Sequence, residues 1–312
     1  MQANTTISSA PPPIRIPLVE GFSCVSKNIT ATGELLQLWV PDELQAKVVA
    51  PTFRTHTEEP YTAVVSVTTA AYHVLNELPV VTATYPLIET LPGDRIFVCG
   101  SRCRRSEDGV AEKNATIYTK DGLAEAKLCL GDGIEHVQVD GSGRIWVGYF
   151  DEGIFGNLGW GAHPIGENGL ECFGIDGQKL WSFAPLPGFD TPADLYALNV
   201  VGNEAWTCYY TEFPIVLIGS EMRAQGWRTE LRGVRALAVA AKHVLAYGGY
   251  NENRDSCYLL CLRDRNAEII ADAKLSAHVD FDLHTAKVIG RGNMLHVIGT
   301  NEWHQFKAPR IL

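Results

Sequence analysis

Glu135 and His136 stand side by side in an apolar run, Gly133-Ile134-Glu135-His136-Val137-Gln138-Val139, and Asp151-Glu152 follow the next such run. Asp194, Arg235, Asp282 and His284 sit at the heads of later runs of the same kind. An imidazole beside a carboxylate can move protons near neutral pH, and a guanidinium can hold an anionic group of a substrate. On that reading Glu135, His136, Asp151, Arg235 and His284 are the catalytic candidates. Glu135, Asp194 and Asp282 also offer hard oxygen donors, which suit Ca²⁺, Mg²⁺ or Mn²⁺ better than zinc. Such an ion could polarise a carbonyl or activate water, as lactone hydrolysis requires. A third reading makes these residues turn builders, since Asp and Asn hold turns through side-chain hydrogen bonds.

Two patterns separate these readings. Glu152, Glu212, Glu252 and Glu302 recur just past comparable strands and are read as residues that fix loops. Glu135 and His136 break the pattern, because Arg235-Ala236 and Leu195-Tyr196 occupy the corresponding places. His296 and His304 flank Glu302 at a spacing that fits no ligand pattern, and they read as strand core and rim. Substrate contacts are expected from Arg102, Tyr196, Tyr250 and two aromatic residues of a glycine-rich insert, Phe155 and Trp160. That insert, Gly153–Pro164, is the longest loop between recognisable strands. It reads either as a lid whose rings stack on a sugar or other planar ligand, or as a loop folded down on itself. No P-loop and no Gly-x-Ser-x-Gly elbow is present, and no organic cofactor is expected.

The elements that must position these residues are short, β-branched or aromatic, and bounded by Gly, Asp or Asn. Arg95–Gly100, Arg144–Tyr149, Glu204–Tyr209, His243–Gly248 and Asn293–Ile298 read as one strand repeated. Each follows a turn, and before most of those turns lies another apolar strand, such as Val137–Val139 or Leu237–Val239. Third and fourth strands follow, as in Leu170–Ile175 and Lys179–Phe183. A four-stranded antiparallel unit returning every 40 to 60 residues is the mark of a β-propeller blade. The chain is therefore expected to be all-β: a six-bladed β-propeller closed by pairing of N- and C-terminal strands, with five blades as the alternative. Helix is expected only as a turn or two, at Asp42–Lys47 and Ser220–Gln225. Residues 1–13, ending Ala10-Pro11-Pro12-Pro13, are expected to be a flexible arm, and 14–312 a single propeller domain. In a propeller, the starts of first strands and the loops after second strands share one face, which brings the candidate residues toward a central channel mouth.

The run Gly131–His136, continuing through Trp146–Asn157, resembles the central stretch of uncharacterised bacterial propeller proteins. More distantly, the chain is similar to the six-bladed class of NHL-repeat and gluconolactonase-like proteins. Membership of the latter group would imply a divalent metal at the channel mouth, held by Glu, Asn and Asp of first strands. Those motifs are not matched residue by residue here, so the resemblance bears on fold.

Composition narrows the partners. With 26 Lys and Arg against 36 Asp and Glu, the chain of 312 residues carries a net charge of −10. An acidic surface is a poor match for nucleic acid or anionic membrane, and better suited to a small polar molecule or a protein partner on an acidic loop face. No apolar stretch approaches the roughly 18–20 residues of a membrane span, and no signal peptide is legible, so a cytoplasmic location is expected. The eight cysteines form no Cys-x-x-Cys pair and read as reduced, buried thiols. The three Asn-x-Ser/Thr triplets, at Asn4, Asn28 and Asn114, carry no meaning without secretion.

Overall fold

The computed structural model describes residues 12–51 and 54–309. Most of the expected arm, residues 1–11, lies outside the described residues. Six four-stranded antiparallel sheets succeed one another, the arrangement of a six-bladed β-propeller. β1 (Ile14–Arg15) opens the chain and joins the last sheet, as described below. No helix among the described residues is long and apolar enough to cross a membrane.

The chain divides into two compact units. The N-terminal unit comprises Pro17–Ala184 with Pro192–Leu195. Its first blade is built from β2 (Phe22–Ile29), β3 (Leu35–Pro41), β4 (His56–Thr68) and β5 (His73–Ala83). The second has β6 (Pro86–Leu91), β7 (Arg95–Gly100), β8 (Ala115–Tyr118) and β9 (Ala124–Leu128). The third has β10 (Ile134–Val139), β11 (Ile145–Tyr149), β12 (Leu170–Phe173) and β13 (Lys179–Ser182). Two short helices interrupt the strands, α1 (Gln45–Val49) and α2 (Asp151–Phe155).

The C-terminal unit holds the residues from Tyr196 onward, Pro185–Thr191 and the N-terminal segment up to Ile16. Its first blade is β14 (Asp194–Val201), β15 (Glu204–Tyr210), β16 (Ile215–Ile218) and β17 (Ala224–Trp227), the two opening residues of β14 belonging to the other unit. The next is β18 (Val234–Ala240), β19 (His243–Gly248), β20 (Ser256–Arg263) and β21 (Asn266–Lys274). The last is β22 (Lys287–Arg291), β23 (Met294–Ile298) and β24 (Glu302–Lys307), completed by β1, whose Ile14 and Arg15 pair with Trp303 and Glu302.

Second strands are the apolar heart of each blade: every residue of β11 and β19 is buried. The cores lie between successive blades of a unit. Phe97, Val137, Val147 and Phe173 join the second and third, and Trp206, Val234, Leu237 and Ala246 join the fourth and fifth. Each fully buried Val, Leu or Phe contributes about 1.5–3 kcal/mol relative to exposure, which is why short strands suffice.

One polar side chain ties the first strands of each unit together. The amide of Asn28 in β2 donates to Ile88 O of β6 at 2.8 Å and to Val137 O of β10 at 3.1 Å. Asn199 in β14 donates to Leu237 O of β18 at 2.7 Å and to Gly292 O, just beyond β22, at 2.8 Å. Its carbonyl oxygen accepts the Gly292 N–H in return. Asn114 likewise spends its amide on Gly100 O and Gly131 O. Two of the three Asn-x-Ser/Thr triplets are thus structural amides; Asn4 lies outside the described residues.

The helical expectations are met in part. A 3₁₀ turn over Asp42–Leu44 runs into α1, but Ser220–Gln225 is a hairpin turn leading into β17. Gly219 N–H donates to Arg223 O, and Met222 takes a left-handed φ of +61° that a helix cannot accommodate. α2 forms instead, within the segment expected to be a loop, with Asp151 and Glu152 placed favourably in its first turn.

Candidate functional site

The repeat supplies a specific backbone device at the head of the first strands. In β10, Ile134 faces Tyr149 and His136 faces Gly148, so Glu135 is an extra, bulged residue. In β18, Val234 faces Gly248 and Ala236 faces Tyr247, which makes Arg235 the bulged residue. Val25 holds the same place in β2, between the Cys24–Trp39 and Ser26–Leu38 pairs. A bulge kinks the strand and re-aims one side chain, and here both Glu135 and Arg235 are exposed. Each of these two bulges is preceded by a glycine that nothing else could replace. Gly133 has φ +70°, and a Cβ there would lie 2.3 Å from Gly153 N. Gly233 has φ +74° and lies against Gly249.

In the N-terminal unit the bulged Glu135 belongs to a group of carboxylates. Asp194, the first residue of β14, is half-buried, and its carboxyl is pushed up to about 6 by burial and then by the negative charges of Glu135 and Asp151. Gly148 makes room for this arrangement: a Cβ there would fall 2.0 Å from Leu195 Cδ2 and 3.4 Å from His136 Cβ. Leu195 therefore packs over Gly148 beside the half-buried His136 and brings Asp194 to the carboxylates. Among the described residues no three His, Cys, Asp or Glu side chains come together in a way that could hold a metal ion.

Arg102, expected to meet a substrate, is held by the protein itself. Its Nε and Nη2 donate to the two carboxylate oxygens of buried Asp132 at 2.9 and 3.0 Å, and Nη2 also reaches Glu152 Oε2. Asn157 Nδ2 donates to the same Glu152 oxygen at 2.7 Å, while the Phe150 ring lies 5.6 Å from the guanidinium. Arg102 is thus a clamp joining the loop after β7 to the linker before β10 and to α2. The aromatic residues of the insert part company. Trp160 is buried and donates Nε1–H to Cys103 O at 2.7 Å, with Arg105 over its ring. Phe155 is 66% exposed. A buried indole requires an acceptor, and Gly159, packed on Arg105 O, lets the loop come close enough to supply one.

In the C-terminal unit Tyr196 and Tyr250 meet, their hydroxyls 3.1 Å apart. Both rings stand nearly perpendicular to Phe213, at centroid distances of 4.9 and 6.0 Å, and Tyr210 does the same at 5.9 Å. Phe213 is fully buried in a left-handed turn, whereas Tyr210 and Tyr250 are 45% and 42% exposed. Phe213 was not anticipated as a site residue. Its signal is an aromatic ring just past β15, the place where the following blade carries Tyr250 past β19. Asp282 and His284 form a turn: Asp282 Oδ1 accepts the His284 backbone N–H at 2.9 Å, and Thr285 donates to the Asp282 carbonyl. Near the last strand, His296 is buried and accepts the Trp303 indole N–H, and burial holds its basicity down to about 3. His304 lies 3.2 Å from Glu302, which opens β24 rather than standing in a loop.

No protein-family model and no curated protein sequence matches the chain. Solved structures do. Virginiamycin B lyase from Staphylococcus aureus is 11% identical, with 96% of this chain and 99% of that one aligned and a TM-score of 0.48. A gluconolactonase from Xanthomonas campestris is 13% identical over 97% and 99% of the two chains, with a TM-score of 0.46. The β-propeller domain of Myceliophteria thermophila Cps50 (Swd1) is 9% identical over 92% and 84%, with a TM-score of 0.50. The likeness is one of fold. The chain is a six-bladed propeller whose structural neighbours, at similarly low identity, include a lyase, a gluconolactonase and the β-propeller domain of Cps50.

Proposed function

We propose that the protein is an enzyme that cleaves a carbon–oxygen bond in a small, polar, uncharged molecule by general acid–base catalysis at the carboxylates of the N-terminal unit. The observation that carries this reading is Asp194: a half-buried carboxyl that titrates near 6 beside two further carboxylates. Groups of one chemical kind driven to different protonation states are how a site obtains both an acid and a base near neutral pH. Asp194 is the acid that protonates the departing oxygen. Glu135, aimed outward by its bulge, is the base that takes a proton from water or from carbon, and burial, then Glu135, then Asp151 favour the protonated form of Asp194. His136 packs beside Gly148 and positions the strand. Three carboxylates repel anions, so a neutral substrate such as a sugar lactone fits better than a phosphate or carboxylate ester.

The test is hydrolysis of neutral sugar lactones, followed by proton release at fixed pH. Asp194→Asn and Glu135→Gln are expected to lower kcat by about 10²–10⁴-fold each, the usual contribution of a positioned acid or base. Asp194→Asn should also remove the limb of the pH–rate profile near 6. Full turnover in both variants would sink the proposal.

A second reading rests on the C-terminal unit. Two exposed tyrosine rings held edge-on by Phe213, next to a strand whose bulge presents Arg235, form a surface suited to binding without chemistry. Tyr210→Ala and Tyr250→Ala should then abolish capture of a ligand or protein segment while leaving lactone turnover unchanged.

A further inference from the structure

Two of the eight cysteines differ from the rest. Cys103, buried in the loop after β7, and Cys129, half-buried just past β9, have their sulfurs 4.0 Å apart. Cys103 Sγ also lies 3.4 Å from Glu112 O, so its single S–H can turn to that carbonyl or to Cys129, and its backbone N–H is fixed by Asp132 at 2.8 Å. The carbonyl of Cys103 accepts the Trp160 indole, so this residue is held at its N–H, its carbonyl and its sulfur. The two thiols are unlike each other. The hydrogen bond from Cys103 pulls the Cys129 thiol below the usual thiol range, helped by the Gly131 N–H and the charge of Arg105, against burial and Glu112. The same hydrogen bond, together with burial, pushes the Cys103 thiol up. Burial is the main cause that drives Cys99, Cys172, Cys208 and Cys257 upward, as expected for inert thiols in a core.

We propose that Cys103 and Cys129 form a peroxide-reactive dithiol in which Cys129 is the sulfur oxidised first and Cys103 the sulfur that resolves it into a disulfide. The Cys129 thiolate attacks one oxygen of hydrogen peroxide, breaking the O–O bond, to give Cys129 sulfenic acid and hydroxide. The Cys103 sulfur then attacks the sulfenic sulfur; an S–S bond forms, the S–O bond breaks, and the hydroxyl leaves as water with the Cys103 proton. Two thiols together lose two electrons, and the peroxide takes them up. The sulfurs need only close from 4.0 Å to the bond length of about 2.0 Å. Cys103 follows Arg102 directly, so the disulfide would lie beneath the clamp that reaches Glu152 of α2.

The experiment uses the full-length reduced protein and hydrogen peroxide. Wild-type protein should lose two hydrogen atoms, and non-reducing peptide mapping should join the Cys103 and Cys129 peptides, with dithiothreitol reversing both changes. In Cys103→Ser the sulfenic acid has no partner, and dimedone labelling at Cys129 should rise about tenfold over wild type. Should that variant fold poorly, the wild-type protein still decides the matter: Cys129 should alkylate with iodoacetamide about tenfold faster than Cys99. A cross-link between any other pair, or oxidised wild-type protein with no cross-link at Cys103 and Cys129, overturns the proposal.

Discussion

The third and fifth blades carry the same bulge after the same left-handed glycine, yet one presents Glu135 among carboxylates and the other Arg235 in a blade that also carries Tyr250. The backbone is copied from blade to blade, while the chemistry is chosen one side chain at a time. The units also differ in what surrounds the bulge. The N-terminal unit invests in a buried clamp, Arg102 on Asp132 and Glu152, which holds loops in register. The C-terminal unit holds its loops with aromatic edges on Phe213 and leaves its bulged arginine exposed.

That contrast can be broken most sharply at the two arginines. Arg102→Ala strands the buried Asp132 carboxylate and should cost about 3 kcal/mol in urea unfolding, as loss of one partner of a buried pair does. Arg235→Ala removes an exposed side chain and should change stability by less than about 0.5 kcal/mol. Equal costs would show that the clamp is not what distinguishes the units. The next test is a point of likeness. Asn28→Ala and Asn199→Ala each strip two carbonyls of their donor, and each should cost about 2 kcal/mol. Markedly unequal values would mean that the units do not share this tie. A smaller effect than the asparagine ties is expected at Asp194. Its folded-state carboxyl titrates above its unfolded value, so its ionisation opposes folding as pH rises through about 6. Asp194→Asn should therefore stabilise the protein by about 1 kcal/mol at pH 8, after allowance for solvent screening, and by almost nothing below pH 4. A variant with equal gains at both pH values would show that burial and its neighbours do not disfavour the charged form of Asp194.

The blades were legible because strand alternation, turn glycines and a period near fifty residues are local signals that survive divergence. The repeat also aligned Gly133–Val139 with Gly233–Val239 residue for residue, but the bulges within them emerge only from strand pairing. It also anticipated that β1 would complete the last blade. Three features were hidden. Asn28 and Asn199 look like ordinary strand residues until their amides are seen to reach two other blades. Arg102 looks like a ligand for a substrate because Asp132, its partner, lies in a different blade's linker. Trp160 and Phe155 sit in one glycine-rich loop, and only tertiary packing decides that one ring is buried and the other exposed. Each depends on pairings between segments distant in sequence, for which spacing along the chain carries no signal.

The asparagine ties bear on time as well as on stability. Asn28 bonds residues 60 and 109 positions away, and Asn199 bonds residues 38 and 93 positions away. Closing such spans is slow, and these bonds form only after three blades of a unit have already assembled. Bonds made that late are expected to be absent from the rate-limiting step of folding and present in the finished unit. Removing either amide should leave the refolding rate almost unchanged and quicken unfolding, so the two asparagines act as latches that set how long each folded unit lasts.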